Sequence, residues 1–297
     1  MREHVRPSVT PAEDVLAKAS GENFPVALRL LPRRYRRHLS ALYCFARLTD
    51  DIGDEVSGAP GGNSTPSPDT TQLRLRLLDE LAADVDLIYE GGTPDSPVMR
   101  AMADTVRQCG VPPEPLRDLI QANRQDQQVT HYRTFPELQR YCELSANPVG
   151  RIVLRIFGAA SPERITLSDS ICTALQLVEH WQDVAEDLGH GRIYLPAEDL
   201  ERYGCTETDL TQPTAGPALR ELISFQVNRA ARLLDEGAPL VGTLRGWARL
   251  SVAGYVAGGR AALAAIRKQR YDVLSGTPRP RKRRLARELV KTYVRGR

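Results

Sequence analysis

A cluster of carboxylates near the start of the chain has the spacing of one helical face. Its members follow one another at intervals of three and four residues, the spacing at which side chains share a face. They are Asp50, Asp51 and Asp54, with Arg47 one turn and Tyr43 two turns earlier on the same face. Like charges one turn apart repel each other. Taken alone, the cluster is explained either as a solvated acidic face or as a cation-binding site.

A second acidic row lies in an otherwise apolar segment. Glu179, Asp183 and Asp187 are spaced by four residues, and Gln176 precedes them. Large apolar residues surround the row: Leu175, Leu177, Val178, Trp181 and Val184. Charged residues are seldom buried without a partner, so an acidic stripe in such a segment favours a binding site over a solvated face.

Two facing rows of carboxylates suit hard divalent cations. Mg²⁺ takes oxygen ligands in octahedral geometry and shares them among carboxylates, water and substrate phosphates. A diphosphate bridged to both rows by Mg²⁺ becomes a good leaving group, because the metal neutralises charge that develops as the C–O bond breaks. Arginine adds bidentate contacts to phosphate oxygens, and Arg47 and Arg192 lie beside the rows. The sequence therefore predicts a Mg²⁺ and diphosphate site.

Neither of two common nucleotide-binding fingerprints occurs in the chain. The sequence contains no G-x-x-x-x-G-K-[ST] loop and no G-x-G-x-x-G, the fingerprints of phosphate-binding loops and dinucleotide folds. The sequence therefore indicates neither a phosphate-binding loop nor a dinucleotide fold, which agrees with the reaction expected below, for which no NADPH is required.

The elements that must position the two rows are helices. Gly and Pro residues punctuate the chain, and the segments between them, roughly 15 to 35 residues long, have apolar residues spaced by three and four. These segments include 35–55, 135–157 and 165–188. Only Arg192 to Leu195 has an extended pattern. The sequence predicts an all-α, single-domain bundle of about ten helices.

Composition bounds the class of protein. The 297 residues are 41% hydrophobic, which is enough for a sizeable core. No uncharged apolar stretch approaches the ~18 residues of a membrane span, and residues 1–21 lack the apolar region of a signal peptide. The five cysteines form no C-x-x-C pair. We expect a cytoplasmic protein without disulfides or zinc.

The charge is asymmetric along the chain. Residues 278–297 contain nine Lys or Arg and one acid, a net charge of +8, whereas the remaining 31 basic and 36 acidic residues give −5. An acidic body argues against nucleic acid as a partner. The basic tail has an apolar helical stripe: Leu285, Leu289, Val290, Tyr293 and Val294. Two interpretations stay open, peripheral contact with a membrane surface and docking of this helix on the body of the protein.

A proline interrupts the helical pattern at Ser145-Ala-Asn147-Pro148-Val-Gly150. Proline removes one helical hydrogen bond and kinks the helix before it. Such a kink is either purely structural, or it turns Asn147 and a free carbonyl toward a cavity.

Longer motifs resemble a known family. Residues 22–55, with E-N-F-P-V-A-L-R-L-L-P and Y-C-F-A-R-L-T-D-D-I-G-D-E, resemble the first aspartate-rich region of the squalene/phytoene synthase family. Residues 176–196, Q-L-V-E-H-W-Q-D-V-A-E-D-L-G-H-G-R-I-Y-L-P, resemble its second region. Within the family, N-F-P-V-A, Y-C-x-x-S-A-N-P-V-G and H-W-Q-D-V are most similar to the branch that forms hydroxysqualene in bacterial hopanoid pathways.

The resemblance implies a class I isoprenoid synthase domain over 21–277. It leaves an N-terminal extension over 1–20, a flexible loop over 58–69 and a basic C-terminal helix or tail over 278–297. It implies about two or three Mg²⁺ ions held by a set of acidic side chains: Asp50, Asp54, Glu179, Asp183 and Asp187. Asp51 and Glu186 match the remaining acidic positions of the two motifs. The diphosphate would contact a second set: Arg47, Arg192, Tyr43 and Gln176.

Three departures from the family pattern bear on the reaction. Glu179 stands where the family usually has Asn, and Gln182 stands where head-to-head synthases carry Arg. Leu144 and Ser145 stand where condensing enzymes carry a tyrosine. These departures favour an enzyme that ionises presqualene diphosphate and quenches the cation with water over one that condenses two farnesyl diphosphates. Asn147 and Glu179 are the candidates for positioning the water.

Three other functions are compatible with parts of the pattern. A condensing synthase making presqualene diphosphate, squalene or phytoene would share the metal site. An all-α nucleotide pyrophosphohydrolase also uses carboxylate helices and Mg²⁺, but needs a base-stacking pocket. A non-enzymatic, membrane-docking helical protein would use the basic tail alone.

Overall fold

The computed structural model describes residues 31–54 and 68–295, and helices dominate both ranges. The described helices, in chain order, are α1 (Arg33–Asp54), α2 (Pro68–Tyr89), α3 (Pro97–Cys109), α4 (Glu114–Asp126), α5 (Phe135–Ser145), α6 (Asn147–Ile156), α7 (Pro162–Gln182), α8 (Val184–Gly189), α9 (Ala197–Arg202), α10 (Glu207–Leu210), α11 (Pro217–Gly237), α12 (Leu240–Thr243), α13 (Gly246–Lys268) and α14 (Lys282–Arg295). The predicted all-α bundle is confirmed.

Extended structure is minimal in the described ranges. Their single β-bridge joins His131 to Ile193, and Ile193 lies in the segment Arg192 to Leu195 that the sequence predicts to be extended. None of the helices in these ranges combines the length and apolarity of a membrane span.

Two predicted helices are each interrupted once. The predicted helix 135–157 is divided into α5 and α6 at Ala146, as expected where Pro148 follows. The predicted helix 165–188 is divided into α7 and α8 at Asp183, whose backbone angles (φ −108°, ψ 19°) leave the helical region. The second acidic row therefore crosses a break between two helices.

Two apolar clusters form the core. The larger cluster is built around α7, α11 and α13 and contains the fully buried Trp181 and Leu177. The smaller cluster joins α1 to α2, α3 and α4 through residues such as Phe45 and Met102. The carboxylate rows lie at the ends of α1 and α7, so each row is held by a different cluster.

The C-terminal helix α14 docks on α13. A guanidinium NH of Arg249 donates to the Tyr293 carbonyl (2.7 Å), and Arg260 donates to the Thr292 hydroxyl (3.0 Å). Of the predicted apolar stripe, Leu289 and Tyr293 pack against the larger cluster. The opposite face is exposed: Arg283, Arg287, Val290, Lys291 and Val294. The docking interpretation of this helix is confirmed for its inner face.

Some predictions lie outside the described residues. They are the N-terminal extension 1–20 and the loop from 58 to 67. The last two residues of the predicted loop, 68 and 69, begin α2.

Candidate functional site

A cavity of about 330 Å³ is lined by residues of both clusters. Seven carboxylate side chains contribute to its wall: Asp50, Asp54, Asp126, Glu179, Asp183, Glu186 and Asp187. One arginine, Arg192, and two histidines, His180 and His190, are the basic residues of the same wall. The structure therefore brings the two predicted rows to one cavity and adds a carboxylate from α4.

The first row divides into two pairs. Asp50 and Asp54 line the cavity, whereas Asp51 forms an ion pair with Arg47 (2.7 Å). Neither member of that pair is among the residues that line the cavity. A role for Arg47 and Asp51 in binding diphosphate or metal stays a prediction, and in this structure the two side chains are paired with each other.

A close approach between α1 and α4 shapes the first row. A Cβ atom at Gly53 would collide with the Asn123 side-chain oxygen, so only glycine lets α4 lie this near. Asn123 donates to the Asp50 carboxylate (3.2 Å), and Gln127 donates to the Gly53 carbonyl (3.0 Å). The Asp54 carbonyl accepts from Arg74 (2.7 Å). The end of α1 is thus held by α4 and α2.

The second row continues across the break between α7 and α8. The Asp183 amide donates to the Glu179 carbonyl (3.0 Å), and the Asp187 amide donates to the Asp183 carbonyl (2.8 Å). These bonds preserve the four-residue repeat, so all three carboxylates reach the cavity. Gln182, in contrast, is buried and donates to the Pro278 carbonyl. It is not among the residues that line the cavity.

A tight turn joins the second row to the first. Gly191 has a positive φ of 76°, a conformation that glycine adopts without strain. The turn lets the Arg192 amide donate to the Asp187 carbonyl (2.9 Å). The Arg192 side chain then crosses the cavity to the Asp54 carboxylate (2.8 Å). Arg192 is therefore placed as a cation between the rows, as the sequence predicts for a diphosphate-binding residue.

Burial and mutual repulsion raise the pKa of three cavity carboxylates. Solvent reaches Asp50 through the cavity, but the surrounding protein raises the pKa of its carboxyl to about 7, and the charge of Asp54 adds to this. Burial raises the pKa of Asp126 to about 6. For Asp183, burial and then the charges of Asp187 and Glu186 raise the pKa to about 6. The basic residues of the cavity wall therefore neutralise only part of the negative charge of its carboxylates.

An aromatic wall closes one side of the cavity. His180 and Tyr194 stack with ring centroids 3.7 Å apart, and the Tyr141 ring lies 5.7 Å from Tyr194. The Tyr141 hydroxyl donates to Asp126 (2.7 Å). Leu144 and Ser145 still stand at the positions where condensing enzymes carry a tyrosine. Tyr141, one turn earlier on α5, brings a tyrosine into the cavity.

Asn123, Asp126 and the aromatic wall are the site residues that the sequence analysis missed. On α4, Asn123 and Asp126 follow Leu119 at i+4 and i+7, so they extend a buried apolar stripe. The criterion that identified the second row, a polar residue where the helix should be apolar, also marks these two. Tyr194 has no comparable signal, because it reaches the cavity through the extended segment after α8.

Of three further predicted site residues, Tyr43 and Asn147 do not line the cavity, whereas Gln176 does. Tyr43 is buried in a small cluster with Cys44 and Val98, and does not line the cavity. Asn147 is buried, and its side-chain oxygen accepts from the Thr173 hydroxyl (3.0 Å). Gln176 lines the cavity, with its amide nitrogen 3.3 Å from His180 Nε2. A water-positioning role for Asn147 stays a prediction, although its side-chain oxygen is bonded to Thr173, which does not line the cavity.

The donor set suits a cation that shares its ligands. No three Asp, Glu, His or Cys side chains of ranges 31–54 and 68–295 converge tightly enough to hold a metal on their own. One carboxylate oxygen of Asp126, Oδ1, is buried without a hydrogen-bond partner, which is uncommon for an acceptor in a folded protein. Mg²⁺ completes its shell with water and phosphate. The residues present fit a magnesium–diphosphate complex better than a bare metal.

Comparisons with known proteins identify the family of the chain. The squalene/phytoene synthase family model matches residues 17–286. A hydroxysqualene synthase from Rhodopseudomonas palustris is 34% identical over 227 residues, which are 75% of this chain and 72% of that protein. A phytoene synthase from Mycobacterium bovis is 32% identical over 76% of this chain and 71% of its own length.

Solved structures show the same arrangement of helices. The squalene synthase HpnC from Alicyclobacillus acidocaldarius is 39% identical, with a TM-score of 0.77 over 88% of this chain and 94% of that one. A dehydrosqualene synthase solved in complex with a ligand is 25% identical, with a TM-score of 0.82 over 96% of this chain and 98% of that one. The match of the family model over most of the chain, together with these relatives, places the chain in the squalene/phytoene synthase family.

Proposed function

We propose that the chain ionises presqualene diphosphate and quenches the resulting cation with water, giving hydroxysqualene and diphosphate. The observation that supports this most is the cavity, in which two carboxylate rows and Arg192 face an apolar and aromatic wall. Its acidic side suits a metal-bound diphosphate, and its aromatic side suits a hydrocarbon cation. Relatives named hydroxysqualene synthase share about a third of their residues with this chain.

Five carboxylates would hold Mg²⁺ in this proposal: Asp50, Asp54, Glu179, Asp183 and Asp187. When bound, Mg²⁺ would neutralise the charge that develops on the departing diphosphate. Arg192 would exchange Asp54 for a diphosphate oxygen, because both acceptors are anionic and Arg192 lies in the wall of the same cavity. Gln176 precedes Glu179 by three residues in the same cavity wall, and it hydrogen-bonds the substrate end nearest the hydrocarbon.

The aromatic wall stabilises the hydrocarbon cation. The face of an aromatic ring is electron-rich and attracts a cation within about 6 Å. Tyr141 and Tyr194 line the cavity, and Leu119 and Ala122 add apolar surface. These side chains keep bulk water from the cation, so that one admitted water decides the product.

Product analysis tests the proposal. Purified protein is incubated with Mg²⁺ and presqualene diphosphate in the absence of NADPH, and the extracted lipids are identified by mass spectrometry. We expect a tertiary alcohol with the mass of hydroxysqualene, and stoichiometric release of diphosphate. Squalene formed only on addition of NADPH, or no release of diphosphate, would contradict the proposal.

Head-to-head condensation is the second candidate function. Tyr141 supports it, because it brings a tyrosine into the cavity wall about one turn before Leu144 and Ser145, the positions at which condensing enzymes carry theirs. Relatives named phytoene synthase and presqualene diphosphate synthase are similar to this chain at 32% and 33% identity. Incubation with farnesyl or geranylgeranyl diphosphate alone tests it. A coupled product from either substrate would establish condensation.

We also propose that α14 rests on the membrane surface. Val290 and Val294 are 64% and 55% exposed, and they share the outward face with Arg283, Arg287 and Lys291. A cationic helix with exposed apolar residues suits anionic lipid. Co-sedimentation with phosphatidylcholine vesicles, with and without phosphatidylglycerol, should show binding that is lost in Val290→Ser/Val294→Ser. The matched control, Leu87→Ser, removes an exposed leucine from α2 and should bind as the parent does. Equal binding by both variants would exclude the outward face of α14.

A further inference from the structure

Ser145 presents an unexplained hydroxyl beside the cavity. The residue ends α5 and lines the cavity. Its hydroxyl oxygen is buried and has no hydrogen-bond partner in the structure. Buried polar side-chain atoms nearly always have a partner, protein or water, and leaving one unpaired is unfavourable. An alanine methyl group would need no partner at this position, but a buried hydroxyl does. We therefore look for a hydrogen-bond partner that enters the cavity with the substrate.

Contacts on either side fix the depth of Ser145. One turn before it, Tyr141 lies beside His180, with ring centroids 6.2 Å apart. Two residues after it, Asn147 contacts Thr173 (3.0 Å). Ser145 therefore lies between the levels of Thr173 and His180 on α7, near Gln176.

This depth separates Ser145 from the metal-binding end. Glu179 and Asp183 follow Gln176 along α7 by about one and two turns, so Ser145 lies deeper than the carboxylates that would hold the diphosphate. A hydroxyl at that level faces the carbon skeleton next to the leaving group. It is placed for contact with the cation and not with the metal.

We propose that the Ser145 hydroxyl binds and orients the water that quenches the cation. This inference rests on the function proposed above. Rotation about the Cα–Cβ bond, which is open to serine, turns the hydroxyl toward the cavity, where it has one donor and two acceptor positions. Asn147 is less suited, because its oxygen is already bonded to Thr173.

The step balances without a further reactant. The C–O bond of the diphosphate ester breaks, and its electron pair leaves with the diphosphate. A lone pair of the water oxygen then forms the new C–O bond to the cationic carbon. The proton released from that water passes to the departed diphosphate, which is the base at hand. Ser145 only orients the water and is regenerated unchanged.

The test compares product partition with ionisation rate. Ser145→Ala, Ser145→Thr and a control, Ser170→Ala, are assayed with presqualene diphosphate and Mg²⁺ in oxygen-18 water. Ser170 is on α7, and its hydroxyl donates to the Thr166 carbonyl. In Ser145→Ala we expect the ratio of labelled hydroxysqualene to non-hydrated alkene products to fall about tenfold, the effect of one lost hydrogen bond. Diphosphate release should stay within about threefold of the parent, since the metal end is unchanged.

The remaining variants and outcomes separate this inference from the function on which it rests. Ser145→Thr keeps the hydroxyl and should restore the product ratio, whereas Ser170→Ala should match the parent. An unchanged product ratio in Ser145→Ala, with normal turnover, would overturn the role of Ser145 and leave the proposed function intact. Absence of diphosphate release from the parent protein would overturn both. A parallel fall of diphosphate release and hydration in a stably folded Ser145→Ala would reduce Ser145 to a packing residue.

Discussion

The two acidic rows differ in how their charge is compensated. In the first row Asp50 accepts from Asn123, Asp54 accepts from Arg192, and Asp51 is paired with Arg47. In the second row Asp183 is flanked by the charges of Asp187 and Glu186, both of which raise its pKa. The imidazole of His180 lies 3.8 Å from Asp187. Two arginines are paired with carboxylates of the first row, whereas the second row has like charges as neighbours and keeps the larger excess of negative charge.

This difference indicates how a metal complex would assemble. The second row gains most from a divalent cation, because the cation relieves repulsion that the protein itself leaves uncompensated. In the first row a metal ion would have to displace Arg192, because Arg192 is already paired with Asp54. In the proposed function, Mg²⁺ bound together with diphosphate would allow both exchanges at once, with Asp54 free to hold the metal and Arg192 free to hold the diphosphate.

The largest effect is expected from the carboxylates that face the cavity. Asp50→Asn and Asp183→Asn should each reduce turnover on the order of 10³-fold, the value of several kcal/mol of lost transition-state stabilisation. Asp51→Asn should cost less than about threefold, because a partly exposed ion pair outside the cavity is worth little. Diphosphate release at saturating Mg²⁺ is the measurement, with circular dichroism as the check on folding. An equal loss of turnover in Asp51→Asn would contradict the division of the first row into cavity-lining carboxylates and an outer ion pair.

Much of the fold followed from the sequence, because helical periodicity is a local property. The spacing of apolar residues predicted the all-α bundle, and Pro148 predicted the division of α5 from α6. The break at Asp183 was not predicted, since no proline or glycine marks it. Its position is set by tertiary contacts such as that of Gln182 with Pro278.

The candidate site was predicted only in part. The residues that sequence spacing placed in the cavity are those whose helices present one face inward, such as Asp50 and Asp183. The pairing of Arg47 with Asp51 was not predicted, because periodicity assigns a face to a side chain but not the partner toward which it turns. Tyr194 was missed because its position depends on the turn at Gly191, which brings a distant segment back across the bundle.

Replacing Arg192 should have an intermediate effect, which is opposite in sign for the affinity for diphosphate and the affinity for Mg²⁺. Arg192→Gln should weaken diphosphate binding about 10- to 100-fold, the range for lost hydrogen bonds between charged groups. The same variant should bind Mg²⁺ alone more tightly, because Asp54 loses a competing cation. Isothermal titration calorimetry measures both. Arg124→Gln, which removes an arginine paired with Asp79 outside the cavity, should change neither. A loss of both affinities in Arg192→Gln would contradict the exchange of partners.

The smallest effect is on stability and follows from the raised pKa values. The pKa values of Asp50, Asp126 and Asp183 are about 7, 6 and 6 in the folded protein, whereas unfolded Asp titrates near 3.9. The folded state therefore binds more protons between about pH 4 and 7, so that stability present at low pH is lost as pH rises through the folded pKa values. Without Mg²⁺, Tm should fall by a few degrees between about pH 5 and 8.

The dependence of Tm on pH also distinguishes the two carboxylate rows. Asp183→Asn removes a carboxylate whose charge the protein disfavours, so at high pH it should raise Tm while it abolishes turnover. Asp51→Asn removes a compensated charge, so it should leave the slope of Tm against pH unchanged. Mg²⁺ with diphosphate should raise the Tm of the parent at high pH and should raise that of Asp183→Asn much less. A fall of Tm in Asp183→Asn at high pH would mean that the second row is neutralised within the protein, and the contrast between the rows would disappear.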